Sequence, residues 1–494
     1  MRKFFLVSIT CFLFSAAWAQ NKPDTLQMAR DLTGRKNFSE ANTLLSAYNS
    51  LNANQYGYQL QAQVLYWMQN VESAEALYEK GIERFPDAVE LNLDYGRMLF
   101  ELGRFKKARV QLESVKEKRP DWVEADLLLA RMDIWDARPA QGKARALNLL
   151  KQYPDNQQAK DILRMNSDAT PLTLKMGYGQ HQDDQPLNVD MYDAELSWLK
   201  SGFFSPHIKY TKQNFSFDGG TSASSWVRME NTVRLNYSKT QWKFGAGLFK
   251  SGENQQLSAM LQLTQKLSKS ISFNARIQQS PYQYTLASVA GTISQQTLST
   301  GIEYNKGDKW IGSANYILQA FPDGNKSSNA YAWLLMPLVH TKAFGLQTGF
   351  STGIANSDFN TFQSLESAAD LAGQYPINSQ IPGVFAPYFT PSNQQVNAVL
   401  GSLRLGLSKN ITFYTRGSIG VFSTTDNPVL VLQQSGSQYL VSQSFSEQSY
   451  RPVEFEASLL TSLSNRLMLT TAYRYNSLFF YQSNSGNLQL SYRF

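Results

Sequence analysis

Beyond residue 170 the chain alternates between apolar and polar positions. In 270–278, Ile271, Phe273, Ala275 and Ile277 fall on one face and Ser272, Asn274, Arg276 and Gln278 on the other. In 466–476, Leu467, Leu469, Thr471, Tyr473 and Tyr475 oppose Met468, Thr470, Ala472, Arg474 and Asn476. The last stretch sets Leu488, Leu490, Tyr492 and Phe494 against Gln489, Ser491 and Arg493. A period of two sends successive side chains to opposite faces of a strand. The pattern predicts strands over 172–183, 189–200, 205–217, 225–238, 240–252, 254–268, 270–280, 297–307, 309–322, 326–341, 344–357, 396–409, 411–426, 451–464, 466–478 and 481–494. About sixteen such strands, apolar on one side and polar on the other, fit a transmembrane antiparallel β-barrel with lipid outside and water inside. A soluble β-sandwich also alternates, but its inner face is richer in valine and isoleucine and its outer face more charged. Sixteen strands leave an aqueous channel, where eight would be filled by side chains.

Tyr210, Trp226, Tyr237, Trp242, Tyr304, Trp310 and Tyr316 stand near segment ends and are expected in interfacial girdles. Tight turns are expected at Ser238-Lys239, Lys269-Ser270, Gly307-Asp308, Asn410 and Asn465. The stretches 281–296, 358–395 and 427–450 are long, and are expected to be loops lying outside the barrel or folded inward as plugs.

The first part of the chain has a different period. Pro86-Asp87, Pro120-Asp121 and Pro154-Asp155 recur at intervals of 34 residues, the length of a tetratricopeptide repeat. Ala62, Gly96 and Ala130 keep that phase where the first helix of each pair meets its neighbour. Ala74, Ala108 and Gly142 keep it where the second helix crosses, with Tyr78, Leu112 and Ala146 four residues further on the same face. An earlier copy is visible in Gly34-Arg35-Lys36-Asn37-Phe38-Ser39-Glu40-Ala41, which echoes Gly103 to Ala108 with an insertion. Three clear repeats and one degenerate repeat predict an α-solenoid packed through Gly96 and Ala108 and punctuated by Pro86, Pro120 and Pro154.

Composition separates the two parts. Residues 20–170 hold 42 Asp, Glu, Lys and Arg, and the much longer 171–494 holds 41, so the two stretches are built for different solvents. The polar, proline-ended run Met165 to Pro171 marks the junction, giving a helical-repeat domain at 20–167 and a barrel at 168–494. Residues 1–19 carry Arg2 and Lys3, an apolar run from Phe4 to Ala17 and an Ala17-Trp18-Ala19 cleavage site, the pattern of a secretory signal too short to span a bilayer. Cys11 is the one cysteine and lies in that leader, so disulfides, thiolate metal sites and cysteine nucleophiles are not expected in the mature chain. The net charge of +7 is spread without a basic run, which argues against nucleic acid as a partner.

This architecture resembles the outer-membrane subunit of cellulose secretion, the cellulose synthase operon protein C family, and its relatives that export other exopolysaccharides. Three stretches carry the likeness. Gln279-Ser280-Pro281-Tyr282-Gln283-Tyr284-Thr285-Leu286-Ala287-Ser288-Val289-Ala290-Gly291 is similar to a proline-threonine-serine stretch of that family, with the family's arginine missing. Phe385-Ala386-Pro387-Tyr388-Phe389-Thr390-Pro391-Ser392 looks like its Tyr-Phe-Ser-Pro loop, and the hairpin from Leu463 to Phe494 is similar in length and in its terminal phenylalanine. The smaller YaiO-type barrels also join short repeat domains to a C-terminal barrel, and PgaA-type repeat-plus-barrel proteins are a more distant likeness. The resemblance implies passive export of a polysaccharide, with the repeats docking periplasmic or inner-membrane secretion or synthase components. The family's repeat array is much longer, which weighs against direct contact with a synthase here.

Transport needs a polar lumen that holds each sugar weakly at many places. Asn274, Arg276, Gln278, Arg404, Glu454, Glu456, Arg474 and Arg493 sit on polar faces and are expected to line it, since an arginine facing lipid costs about 2–4 kcal/mol at the midplane. A structural role, with the arginines paired to Glu454 or Glu456, is the competing reading. Catalysis has little to stand on: His181, His207 and His340 are isolated, no spacing suits a metal, and Asp183-Asp184 reads as a turn. No cofactor is expected. The rival functions are a non-conducting anchor whose repeats tether envelope proteins and, third, a barrel enzyme acting on lipid or sugar.

Overall fold

The computed structural model describes residues 24–185, 187–217, 220–306, 309–478 and 481–494. The leader expected at 1–19 and the turn expected at Gly307-Asp308 lie outside the described residues. The chain divides into two compact units, Met1–Ser167 and Asp168–Phe494.

The described part of the first unit is helical: α1 (Thr25–Gly34), α2 (Phe38–Leu51), α3 (Gln55–Trp67), α4 (Val71–Arg84), α5 (Val89–Glu101), α6 (Phe105–Lys118), α7 (Val123–Trp135), α8 (Pro139–Gln152) and α9 (Gln157–Ala169), whose last turn crosses the boundary. Small residues let these helices approach. Ala62, Ala74, Ala108, Ala130 and Ala146 are fully buried. Tyr78 fills the same level and stacks on Tyr95 of the next pair at 5.3 Å. The three phased prolines are exposed and follow directly on the C-caps Phe85, Arg119 and Tyr153, so they end the second helices rather than fill the core. Glycine is required where helices touch: a Cβ on Gly96, as its phase predicts, would stand 2.9 Å from Cγ and Cδ2 of the buried Leu112. A Cβ on Gly142 would stand 2.8 Å from the Ala130 carbonyl oxygen and from Ile134 Cγ1, whereas one on Gly34 would meet nothing within 4 Å. Gly142→Val is therefore expected to destabilise the helical unit by about 2 kcal/mol or more, and Gly34→Ala to leave it unchanged or gain up to about 1 kcal/mol, read from the helical signal at 222 nm on heating.

The second unit is a closed barrel. Its strands are β1 (Thr173–Asp183), β2 (Asn188–Ser197), β3 (Pro206–Phe217), β4 (Gly220–Leu235), β5 (Thr240–Ser251), β6 (Asn254–Lys266), β7 (Ile271–Tyr282), β8 (Ile293–Asn305), β9 (Ile311–Ala320), β10 (Lys326–His340) and β11 (Phe344–Ser357). The short β12 (Phe362–Gln363), β13 (Gln380–Ile381) and β14 (Val384–Phe385) follow, then β15 (Gln394–Gly406), β16 (Ile411–Ser435), β17 (Gln438–Ser449), β18 (Val453–Ser462), β19 (Leu467–Ser477) and β20 (Gln482–Arg493). Wall strands pair antiparallel with their sequence neighbours, and β1 pairs with β20 from Thr173↔Arg493 to Asp183↔Ser483, which removes the free edges. β1–β11, β15, β16 and β18–β20 make sixteen wall strands, to which β13 and β17 add two more outside the ring. Two helical turns, α10 (Leu286–Gly291) and α11 (Ala368–Ala372), sit in loops of this unit.

The alternation becomes two surfaces. Met176, Leu257, Ile277, Ile302, Ile354 and Leu488 project outward and are exposed, and the register places each beside outward residues of the neighbouring strands, as in Met176↔Leu490 and Leu261↔Ile277. Tyr210, Trp242, Trp310 and Tyr316 are exposed on this outer surface as well. Trp226 is not. It shares the parity of Arg228 and Glu230, faces the interior, and donates its indole N–H to Ser258 Oγ at 2.9 Å, with Phe249 packed edge-on. Tyr237 belongs to the β4–β5 turn, where it holds a left-handed backbone with φ 55°.

The stretch 427–450, expected as a loop, is a hairpin instead. β16 runs on for 25 residues and turns at Gly436 (φ 64°) into β17. Leu430 and Leu432 on its inner face are buried against Leu371 of α11 and Ile381 of β13. The apolar partner comes from a segment some 50 residues earlier, which a local pattern cannot show.

Candidate functional site

The interior of the barrel is the candidate site. The chain enters β1 at the end that carries the short connections 236–239, 267–270, 341–343, 407–410 and 463–466, and the long loops all lie at the opposite mouth. Near the short-turn end the inward wall holds a charge cluster. Glu195 lies 2.8 Å from Lys175 Nζ and 3.0 Å from His207 Nε2, and His207 Nδ1 lies 3.1 Å from Glu230. Lys243 also pairs with Glu230. His207, an isolated residue in the sequence, is thus bracketed by two carboxylates from adjacent strands. A second cluster sits further round the wall, where Arg416, Glu456 and Arg474 are direct cross-strand partners. The Glu456 carboxylate accepts from Arg416 at 2.8 Å and Arg474 at 2.9 Å. Among the described residues no group of three or more metal-ligating side chains is placed to hold an ion.

The residues expected to line the lumen are distributed unevenly. Asn274, Arg276 and Gln278 share the inward face of β7, where Thr264 donates to Asn274 at 2.8 Å and Arg276 donates to Gln278. Glu456 and Arg474 meet as described, and Glu454 stands exposed two residues along β18. Arg493 is exposed at the short-turn end. Arg404 does something else: it donates to the carbonyl oxygens of Thr341 (2.7 Å) and Lys342 (3.1 Å), so it ties down the β10–β11 turn rather than standing free along the path. That turn's exposed carbonyls, invisible in a strand pattern, supply acceptors that capture the guanidinium.

The mouth opposite the short turns is partly filled by the chain itself. The connection between β7 and β8 folds inward as α10, whose Thr285 and Ser288 form a reciprocal cap. Leu286 and Val289 pack on Leu187, Val189, Phe215 and Phe217, inward residues of β2 and β3 and the turn beside them. β4, β5 and β6 lie between β3 and β7 in the wall, so α10 spans a chord of the mouth instead of following its rim. Gln283 donates to Ser224 at 3.3 Å, and Gln256 donates to the Thr292 carbonyl oxygen at 2.6 Å. The long 358–393 loop braces it from the other side. Tyr388 stacks on Phe321 at 3.5 Å and packs edge-on to Tyr282, the Tyr282 hydroxyl accepts from Phe389 N at 3.2 Å, and Thr285 donates to the Pro387 carbonyl oxygen. Burial, together with Asp323 accepting from its hydroxyl, raises the Tyr388 phenol above its ordinary value, so it stays a donor.

Beside α10 a cavity of about 370 Å³ remains, bordered by His181, Gln213, Phe215, Tyr284, Arg474 and Tyr481. Burial pushes the Tyr481 phenol up to about 12, and its hydroxyl faces His181 Nε2 at 3.3 Å. Amides, phenols and guanidinium groups around a space of this size suit a hydroxyl-rich ligand.

Two of the stretches quoted for the family resemblance, Gln279–Gly291 and Phe385–Ser392, are thus the segments that meet across this mouth. The bracketing of His207 and the inward Trp226 were not read from the sequence. For Trp226 the signal was present, in the parity it shares with Arg228 and Glu230.

Comparison with known proteins gives the following. The tetratricopeptide repeat family matches residues 68–132. No curated protein sequence matches. Among solved structures, a bacterial polysaccharide outer membrane secretin is similar with 10% identity and a TM-score of 0.46, over 66% of this chain and 99% of that one. MamA protein is similar with 10% identity and a TM-score of 0.27, over 29% of this chain and 80% of that one. A thermophilic TPR protein of Thermus thermophilus is similar with 18% identity and a TM-score of 0.26, over 32% of this chain and 87% of that one.

Proposed function

We propose that this protein is an outer-membrane pore that conducts a polysaccharide out of the cell, with its tetratricopeptide domain in the periplasm docking components that deliver the chain. A sixteen-stranded closed wall with an apolar exterior is stable in a bilayer, because its backbone groups pair within the ring and mainly apolar side chains meet lipid. The observation that carries the reading is the interior: amides, hydroxyls and charges lead to a mouth narrowed by α10 but not filled, with the 370 Å³ cavity beside it. Polar groups that each bind weakly let a polymer enter and leave. No catalytic step is part of this reading. The helical domain offers a repeat surface of the kind used for protein partners.

One feature of the fold favours the rival, a non-conducting anchor. α10 is held at both ends and across the mouth, by Leu286 and Val289 in an apolar pocket and by Gln283 and Thr292 hydrogen bonds. Single-channel recording of the full chain in planar bilayers separates the two. The export reading expects a conductance reduced by oligosaccharides of one class. A barrel silent under all of them, from a protein whose deletion leaves polysaccharide secretion intact, overturns it in favour of the anchor.

A further inference from the structure

Halfway along the wall, between β4 and β7, lies a pocket lined by Trp226, Arg228, Glu230, Ser258, Arg276 and Gln278. Two glycines of β5 shape it. A Cβ on Gly247 would meet Arg228 Cγ at 2.8 Å and Ser258 Oγ at 2.8 Å, and one on Gly245 would meet Glu230 Cγ at 2.7 Å. Their bare backbone leaves room for the Arg228 and Glu230 side chains to lie over β5. Arg228 rests with its guanidinium carbon 4.1 Å from the Trp226 ring centre, and Trp226 is pinned by Ser258. Arg276 enters the same pocket from β7.

The charges do not balance locally. Glu230 is already satisfied by His207 and Lys243. Among the described residues neither Arg228 nor Arg276 has a carboxylate in ion-pair contact: the partner of Arg228 is an aromatic face and that of Arg276 an amide oxygen. The Nε atoms of both are buried and have no acceptor. Burying guanidinium donors without an acceptor is costly, and two like charges sharing a pocket add to the cost. An anion between them removes both penalties, and the planar fork of arginine matches a carboxylate or phosphate bidentately.

We propose that Arg228 and Arg276, with Ser258 and Gln278, form a lumenal subsite for the anionic group, carboxylate or phosphate, of a saccharide passing through the barrel. This rests on the export reading and narrows its cargo to an acidic polymer. The overall balance of residues 171–494, 23 basic against 18 acidic, is too even to say this. Two guanidinium groups without a carboxylate in one pocket do.

The test is isothermal titration of the purified full chain in detergent with trigalacturonate, with neutral cellotriose of the same length, and with free acetate and inorganic phosphate. Trigalacturonate is expected to bind with a salt-sensitive affinity at least about tenfold above cellotriose, the scale of one charge-assisted hydrogen bond. The double variant Arg228→Gln/Arg276→Gln is expected to abolish that difference, and Arg228→Lys/Arg276→Lys to keep part of it. Heat-modifiable migration on a gel certifies that each variant is a folded barrel. Equal binding of the two trisaccharides, or a preference that survives the double glutamine variant, overturns the subsite. Acetate or phosphate binding as tightly as trigalacturonate overturns its saccharide role. Cellotriose block of conductance in the first two cases leaves the export reading standing, so the two failures are distinguishable.

Discussion

A barrel in which residues 284–291 are excised and the ends rejoined by a short glycine-serine link is expected to conduct ions several-fold better than the intact protein. β7 and β8 already face each other at Tyr282↔Ile293, so a short link closes them without disturbing the wall. What is lost is the chord across the mouth: the Leu286 and Val289 contacts with Leu187, Val189, Phe215 and Phe217, and the Thr285 bond to Pro387. A sixteen-stranded ring without this segment has a wide aqueous interior. The point variant Val289→Asp tests the same latch more gently. A carboxylate in that apolar pocket is expected to unseat α10 and raise open-state noise and mean conductance, because an unpaired charge does not stay buried. Planar-bilayer recording reads both. A conductance unchanged by the excision would place the constriction elsewhere, with the 358–393 loop as the next segment to remove.

Asp133→Ala is expected to be the most damaging single substitution in the helical unit. Its side chain is fully buried and faces three arginines, Arg109 at 2.9 Å, Arg145 at 2.9 Å and Arg138 at 3.3 Å. Those arginines come from α6, α8 and the turn before α8, so Asp133 on α7 joins two repeats. Removing it strips three arginines of their shared, fully buried counter-charge and leaves each only a more exposed carboxylate, Glu113, Asp136 or Asp126, and breaking a buried pair from one side typically costs about 3–5 kcal/mol. For a unit of this size that corresponds to a fall of roughly 10 °C in the helical melting transition. Asp133→Asn keeps the shape and removes only the charge, so it is expected to recover little. A shift of only a few degrees in both variants would mean that solvent and the remaining carboxylates, Glu113, Asp126 and Asp136, satisfy the arginines without the aspartate. Ellipticity at 222 nm on heating measures this, since the barrel contributes little helical signal.

The wall was legible because its cause is local. Each strand meets apolar surroundings on one side and polar on the other, so Ile271, Phe273, Ala275 and Ile277 had to alternate with Ser272, Asn274, Arg276 and Gln278 whatever the rest of the chain did. The repeats were legible for a similar reason. Ala62, Ala74, Ala108 and Ala130 recur in phase because one geometry is reused, and close helix approach allows only small side chains there. Trp226 was misplaced because an aromatic near a segment end fits an interfacial girdle as a residue type. Only its parity, or its bond to Ser258, assigns it to the interior.

By itself, then, the amino-acid sequence determined the two units, the strands, the parity of inward and outward side chains and the phase of the helical repeats, all set by neighbours within a few residues or by one repeated geometry. The tertiary structure decided what those surfaces enclose. α10 folds across the mouth because apolar residues over 70 positions away, among them Phe215, complete its pocket. Leu430 and Leu432 extend a strand because α11 covers them. Arg404 ties a turn, Glu456 gathers Arg416 and Arg474, and Arg228 and Arg276 come to face one pocket. Most of these depend on contacts between segments tens of residues apart in the chain, where strand order and the folding of the loops, rather than any local preference, set which side chains meet.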